Sequence, residues 1–300
     1  MSTRAVSQPT TASDLLSLTK PRLSSLVELT MLGGMWIAPA SRSPSQLAVA
    51  LLSTAGIIGS ANALNCYLER DVDRLMRRTQ SRPLPAGRMD PAVAFRFGIF
   101  LAAISIPALG MVTNLLTAML GLSALALYVL VYTPLKARTW KAMFVGAVPG
   151  ALPTLMGWTA VTGSIALPGL VLFAILFLWQ IPHFLAIALF CKEEYAAANL
   201  KSLPLEKGDA VARGYVVFYC AVLIPVTLAL YPLKVAGPIY LATALVLGAA
   251  FLGTALHGYW RELGPDWARK LFRVSLFHMA GLFVALWLDG GARASRWILK

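Results

Sequence analysis

Long apolar stretches alternate with short polar segments along most of this chain. Each stretch is close to the roughly 20 residues that a helix needs to cross the hydrocarbon core of a bilayer. The predicted spans are Leu23–Ala38, Leu47–Leu68, Phe95–Val112, Leu115–Thr133, Met143–Val161, Leu167–Phe190, Tyr215–Tyr231, Gly237–Leu256 and Leu271–Leu288. Backbone groups cannot be left unpaired in lipid, so the spans are expected to be helical. The pattern therefore predicts an all-α integral membrane protein, a bundle of about nine transmembrane helices.

Polar segments at both ends set the expected domain limits. Residues 1–20 are rich in Ser and Thr and lack an apolar run, which predicts a disordered cytoplasmic tail. Residues 21–290 are interpreted as a single transmembrane domain, and residues 291–300 as a short C-terminal tail. Prolines inside the predicted spans bend helices and help to enclose a cavity. They are Pro149, Pro153, Pro182 and Pro225.

Composition agrees with this interpretation and excludes other classes of protein. The chain is 58% hydrophobic, more than the roughly half apolar content of a soluble domain. It is only 13% charged, and its mean hydropathy is +0.70. The net charge of +13 does not indicate nucleic-acid binding, because the basic residues lie in short loops between apolar runs. The cysteines Cys66, Cys191 and Cys220 have no paired spacing, so neither a disulfide framework nor a cysteine metal motif is predicted.

The basic residues also predict the orientation of the chain. With the amino terminus in the cytoplasm, most of the 26 lysines and arginines fall in cytoplasmic segments. Cytoplasmic loops of membrane proteins carry an excess of these residues. The opposite side would hold only Arg42, Lys234, Arg293, Arg296 and Lys300. We therefore predict a cytoplasmic amino terminus.

The segment Ala61–Asp90 concentrates polar groups in an otherwise apolar chain. Asn65, Glu69 and Asp73 recur one helical turn apart, and Asn62 lies beside them. Oxygen ligands on one helix face suit a hard cation such as magnesium.

Arginines follow this helix face directly. They are Arg70, Arg74, Arg77, Arg78, Arg82 and Arg88. Guanidinium groups bind phosphate oxygens bidentately, so metal ligands beside an arginine cluster predict a diphosphate pocket. The alternative is a solvated, positively charged loop at the membrane surface.

A second acidic cluster, Glu193 and Glu194, ends another span at the same side of the membrane. Lys192, Lys201 and Lys207 lie close to it in the sequence. Two carboxylate sets on separate helices can hold two metal ions on one diphosphate. The alternative is a solvated pair of glutamates at a helix end.

Two ionisable side chains fall inside predicted spans. His183 follows Pro182 and can ligate a metal or haem iron, transfer a proton, or hydrogen-bond the carbonyl that the proline frees. Glu28 interrupts the first span. Polar groups at such depth usually serve a cavity, which makes both functional candidates.

These motifs resemble the UbiA-type intramembrane prenyltransferases, in the form used by the branch that farnesylates haem. The resemblance covers about Lys20 to Leu288. Its specific segments are Asn65–Arg88, Tyr132–Lys136, Val145–Pro153, Gly157–Gly163 and Ile181–Phe184.

The resemblance implies a helical bundle around a central cavity and magnesium-dependent farnesyl transfer from farnesyl diphosphate to a vinyl group of haem B, giving haem O for terminal oxidases. It implies a bacterial inner-membrane location and contact with terminal-oxidase assembly factors. Magnesium would be held by Asn65, Glu69, Asp71, Asp73, Glu193 and Glu194. Diphosphate contacts would come from Arg77, Arg78, Arg82, Lys136 and Lys192, and His183 would serve the haem.

The chain also departs from the family pattern. Glu194 stands where the family usually has aspartate, and the loop Ala198–Pro204 lacks the usual glycine and proline. Gln180 and Ile181 replace the usual residues before Pro182. An aromatic or quinone-precursor prenyltransferase of the same superfamily is the nearer alternative, and a secondary transporter is the remote one.

Overall fold

The structure, a computed structural model, describes residues 11–39 and 42–298. Helices and their connections make up this described part. The helices are α1 Ala12–Leu18, α2 Pro21–Ile37, α3 Pro44–Asp73, α4 Pro91–Val112, α5 Leu115–Ala126, α6 Thr133–Leu135, α7 Ala142–Thr162, α8 Leu167–Phe190, α9 Lys192–Ala197, α10 Leu203–Lys207, α11 Asp209–Leu228, α12 Pro238–Trp260 and α13 Pro265–Ile298. A π-helical segment, Leu127–Tyr132, joins α5 to α6. The all-α prediction is confirmed.

Within the described residues, eight helical stretches are long and apolar enough to cross a membrane. They are α3, α4, the continuous run from α5 to the end of α6, α7, α8, α11, α12 and α13. The remaining predicted span is α2, which has 17 residues. The predicted prolines do lie inside helices, with Pro149 and Pro153 in α7, Pro182 in α8 and Pro225 in α11.

The structure corrects the interpretation of the amino-terminal end and shows how the last helix continues at the other. Within the predicted disordered tail, Ala12–Leu18 forms α1, because Thr11 and Asp14 make a reciprocal capping box and Leu18 is buried. Residues 1–10 lie outside the described part of the chain. At the other end, α13 continues from the last span to Ile298, through most of the segment interpreted as a tail.

Helix α7 lies between two apolar clusters and contributes to both. One cluster joins it to α2, α3 and α5, and the other joins it to α8 and α11 to α13. Its contact with α2 is close because a Cβ atom on Gly157 would collide with the backbone carbonyl of Met31. This packing brings the carboxyl end of α3 and the loop after α8 to the same end of the bundle, where the polar motifs lie.

At the amino end of α12, the buried side chain of Asp289 accepts hydrogen bonds from the backbone of two residues. Its Oδ2 atom lies 2.8 Å from Gly237 N and 2.7 Å from Tyr240 N. A carboxylate that satisfies free amides at a helix amino terminus ties α13 to α12.

We expect Asp289→Ala to lower the free energy of unfolding by about 2 kcal/mol, because two buried amides lose a charged acceptor. Unfolding of the purified protein in a denaturing-detergent titration measures the change. Asp266→Ala is the matched control, since the Asp266 side chain is 99% exposed and pairs with Arg269 one turn away, and it should leave stability unchanged. Equal stability of both variants would contradict this role of Asp289.

Candidate active site

A hydrogen-bonded chain of side chains runs along the last turns of α3. Lys20 Nζ lies 3.0 Å from Asn65 Oδ1, and Asn65 Nδ2 lies 2.9 Å from Glu69 Oε2. Glu69 Oε1 in turn lies 2.7 Å from Lys136 Nζ. Asn65 and Glu69, two of the three oxygen ligands that the sequence predicts on this face, are therefore adjacent, and each contacts a lysine ammonium group.

The orientation of the Asn65 amide follows from its other contacts. Its Nδ2 atom donates to Glu69 and also to Thr133 Oγ1, at 3.1 Å. Because both amide hydrogens are used, Oδ1 is the atom that faces Lys20. Thr133 is positioned by the π-helical segment before it, since its hydroxyl donates to Tyr128 O at 2.8 Å. Single π-helical turns of this kind are frequent at functional sites.

The surroundings affect the two ammonium groups differently. Burial lowers the pKa of Lys20, and the charges of Arg82 and Lys136 add to this effect. Burial alone would also lower the pKa of Lys136, but Tyr132 and the Glu69 carboxylate more than offset it, so the pKa of Lys136 is raised. Lys136 therefore stays charged beside Glu69.

Asp73 lies on the same face, whereas Asp71 lies apart from it. The Asp73 side chain is 3% exposed and its Oδ2 atom lies 2.8 Å from Arg82 Nη1. The Asp71 side chain is 68% exposed and lies 3.4 Å from Arg74 and 3.8 Å from Arg70. The structure therefore brings Asp73 together with a predicted diphosphate contact and leaves Asp71 at the surface.

The loop after α8 packs against the loop after α3. Met76 forms a small apolar cluster with Ala198 and Leu200, and Tyr195 packs on it. Burial raises the pKa of Tyr195, and the charges of Lys136 and Arg78 oppose this effect.

The two motif-bearing segments are thus neighbours, but their acidic side chains differ in exposure. Glu194 is partly buried, and its Oε2 atom is buried without a hydrogen-bond partner among the described residues. Glu193 is exposed. Arg77 and Arg78 are exposed as well, and Lys192 pairs with Asp209 at 2.7 Å. Lys192 therefore contacts the first turn of α11 instead of the acidic pair.

Asn65, Glu69 and Asp73 lie on one face of α3, here called the α3 face, and these residues fit a magnesium ion. They offer an amide oxygen and two carboxylates, the donors that this ion prefers, and each of Asn65, Glu69 and Asp73 already contacts a cationic side chain. Within the described residues, no three His, Cys, Asp or Glu side chains converge closely enough to hold a metal. The six predicted metal ligands therefore do not form one cage in this structure.

His183 belongs to a separate aromatic site formed by α8 and α13. Its ring lies 4.7 Å from the ring centroids of Trp179 and Phe272. Its Nδ1 atom lies 2.7 Å from Ser275 Oγ, and Trp179 Nε1 donates to Ser275 O at 2.8 Å. The ring therefore contacts α13, and this hydrogen bond does not go to a carbonyl freed by Pro182.

The contacts of Ser275 also determine the His183 tautomer. The serine has a single hydroxyl hydrogen, and this donates to Phe272 O at 2.7 Å. Nδ1 of a neutral His183 must then be the donor to Ser275 Oγ, which leaves the lone pair on Nε2. Nε2 is thus the ring nitrogen able to accept a metal or a proton.

Sequence reasoning missed Lys20 and Thr133 as members of this site. Lys20 stands just before the first span and was explained by charge orientation, and Thr133 is the polar end of an apolar run. Thr133 lies in the segment Tyr132–Lys136, which carries the family resemblance, and Lys20 offered only its place at a span boundary on the side of the Asn65 motif. Which boundary residues reach α3 depends on helix packing.

Known proteins resemble this chain in sequence and in fold. A model of the UbiA prenyltransferase family matches residues 27–280. A Myxococcus xanthus protein named "Protoheme IX farnesyltransferase" is 61% identical over 289 residues, covering 96% of this chain and 98% of that protein.

Two solved structures share the fold at low sequence identity. A digeranylgeranylglyceryl phosphate synthase structure has a TM-score of 0.79 at 17% identity, covering 93% of this chain and 98% of that one. A UbiA homolog from Archaeoglobus fulgidus bound to GPP and Mg2+ has a TM-score of 0.64 at 17% identity, covering 91% and 99%.

Proposed function

The chain belongs to the UbiA prenyltransferase family, and we propose that it transfers a farnesyl group from farnesyl diphosphate to a vinyl group of haem B, giving haem O. The observation that carries this proposal is the buried oxygen face of Asn65, Glu69 and Asp73 beside lysine and arginine side chains. That arrangement suits a magnesium-bound diphosphate. The relative named as a protohaem IX farnesyltransferase supports haem as the acceptor.

On the donor side, the chain binds and polarises the diphosphate. Asn65, Glu69 and Asp73 would hold magnesium, which when bound neutralises charge on the diphosphate. Arg82 and Lys136 offer cationic donors that bind the oxygens of the leaving diphosphate. Stabilising these oxygens weakens the bond from farnesyl C1 to oxygen, so C1 acquires allyl-cation character.

On the acceptor side, the aromatic site around His183 holds the haem. The rings of Trp179 and Phe272 flank the His183 ring, and the Nε2 lone pair of His183 would be available to the iron or to a haem substituent. The vinyl group attacks farnesyl C1 through its terminal carbon, and the carbon next to the macrocycle becomes cationic. Water adds there and releases one proton, which leaves a hydroxyethylfarnesyl substituent and free diphosphate.

The protein is a multi-pass membrane protein, and its proposed location is the bacterial inner membrane with a cytoplasmic amino terminus. The excess of lysine and arginine in the segments assigned to that side supports this orientation. The diphosphate site would then face the cytoplasm. Glu193 and Glu194 stay proposed metal ligands, whereas the exposed Asp71 is placed outside the proposed metal site. Arg77, Arg78 and Lys192 stay proposed diphosphate contacts, and terminal-oxidase assembly factors stay proposed partners.

The purified chain, supplied with haem B, farnesyl diphosphate and magnesium, should form haem O. Mass spectrometry of the extracted haem detects the added farnesyl and hydroxyl groups. Chelation of divalent metal by EDTA should reduce product to background, and added magnesium should restore it. Formation of a prenylated quinone precursor, with haem B left intact, would replace the haem assignment by the aromatic alternative.

A further inference from the structure

Lys20 is connected to the predicted metal site although no motif contains it. Its ammonium group touches Asn65 Oδ1 at 3.0 Å, in the same way that Lys136 touches Glu69 at 2.7 Å. The two lysines therefore end one hydrogen-bonded chain, each on an oxygen donor. Lys136 is matched by a carboxylate, whereas the described partner of Lys20 is a neutral amide.

The segment before α2 holds Lys20 firmly in this place. Leu18 is 1% exposed and packs with Leu84 and Met89 from the loop after α3. Thr19 O accepts a hydrogen bond from Asn62 Nδ2 at 3.1 Å. The backbone of Lys20 is in the left-handed region, with φ 50° and ψ 58°, so the chain turns sharply between α1 and α2.

Asn65 Oδ1 cannot serve the ammonium group and a divalent cation together. A metal on this oxygen would lie within a few ångströms of the Lys20 charge, and two cations that close repel each other. Arg82 and Lys136 add positive charge around Lys20. When metal occupies Asn65, the ammonium group therefore needs an anion, and the diphosphate of the prenyl donor is the anion that the proposed reaction brings.

We propose that Lys20 is a further diphosphate-binding residue, which occupies the Asn65 oxygen before metal binds and transfers to the diphosphate when the metal–diphosphate complex enters. The inference rests on the proposed function for the presence of a diphosphate, and it holds for any prenyl acceptor. It predicts that removing Lys20 has opposite effects on the affinity for metal and the affinity for diphosphate. Without Lys20, a metal ion alone loses a competitor for Asn65, whereas the diphosphate loses a cationic ligand.

The test compares Lys20→Met with the unaltered full chain in detergent. Binding of manganese alone, followed by electron paramagnetic resonance, should be as tight as in the unaltered chain or a few-fold tighter. Binding of inorganic diphosphate at saturating magnesium, followed by calorimetry, should weaken by roughly 10- to 100-fold, the range for loss of one charged hydrogen bond. Haem B affinity should not change.

Three further variants make the comparison decisive. Lys20→Arg keeps the charge and should retain diphosphate affinity within a few-fold of the unaltered chain. Lys141→Met removes an exposed lysine and should change neither affinity. Lys20→Gln replaces the methionine variant if that protein does not fold.

Two results would overturn the inference. Unchanged diphosphate affinity would remove Lys20 from the site, and parallel loss of metal and diphosphate binding would show a structural role. If diphosphate binding weakens as expected while no haem O forms, only the acceptor assignment fails.

Discussion

Asp73→Ala should lower kcat/KM for farnesyl diphosphate by roughly 10²- to 10³-fold, the effect of losing a metal ligand that acts on a leaving group. Asp73 is 2% exposed and shares the buried face with Asn65. Its removal also leaves Arg82 without its 2.8 Å carboxylate contact. Steady-state kinetics across a magnesium titration measures the loss, and excess magnesium should recover part of it.

Asp71→Ala is the matched control for this prediction. It removes the same charge two residues earlier, but the Asp71 side chain is 68% exposed and contacts surface arginines. Activity should therefore stay within about threefold of the unaltered chain, as expected for exposed ion pairs. A loss in Asp71→Ala equal to that in Asp73→Ala would contradict the assignment of Asp73 to the metal-binding face.

His183→Ala should weaken haem B binding by about tenfold or more, the effect of losing one directed contact of at least 1.4 kcal/mol. Binding of magnesium and inorganic diphosphate should persist, because those ligands depend on the α3 face. Optical titration of haem B into the folded variant, alongside calorimetry with diphosphate, separates the two sites. Unchanged haem affinity with unchanged turnover would remove His183 from the haem site.

Ser275→Ala provides an independent check on this role. The variant keeps His183 but removes the hydroxyl that accepts from Nδ1 at 2.7 Å. The imidazole can then carry its hydrogen on either nitrogen, so the haem spectrum should change and affinity should fall less than in His183→Ala. His257→Ala changes a histidine in the last turn of α12 and should alter neither. A role of His183 in stability alone predicts parallel loss of haem and diphosphate binding.

Helix content and the order of helices could be predicted from the sequence almost entirely. Spans such as Leu167–Phe190 were predicted with the bounds of α8, because lipid forces the backbone to satisfy its own hydrogen bonds. The main error was at Ala12–Leu18. A polar composition suggested disorder there, but a capping box and the burial of Leu18 stabilise a helix.

The sequence by itself determined which side chains of α3 share a face. Asn65, Glu69 and Asp73 align because helical geometry alone fixes the direction of each side chain. The position of His183 inside a predicted span made it a functional candidate, but the sequence left its hydrogen-bond partner open.

Only the tertiary structure decided which distant groups meet that face. Lys20, Thr133 and Lys136 reach Asn65 and Glu69 because the turn before α2 and the π-helical segment before α6 direct them there. Likewise, Ser275 lies 92 residues from His183 in the chain and yet determines which ring nitrogen is free. The physical reason is that periodicity is a local property, whereas these contacts depend on how α2, α5 and α13 pack against other helices.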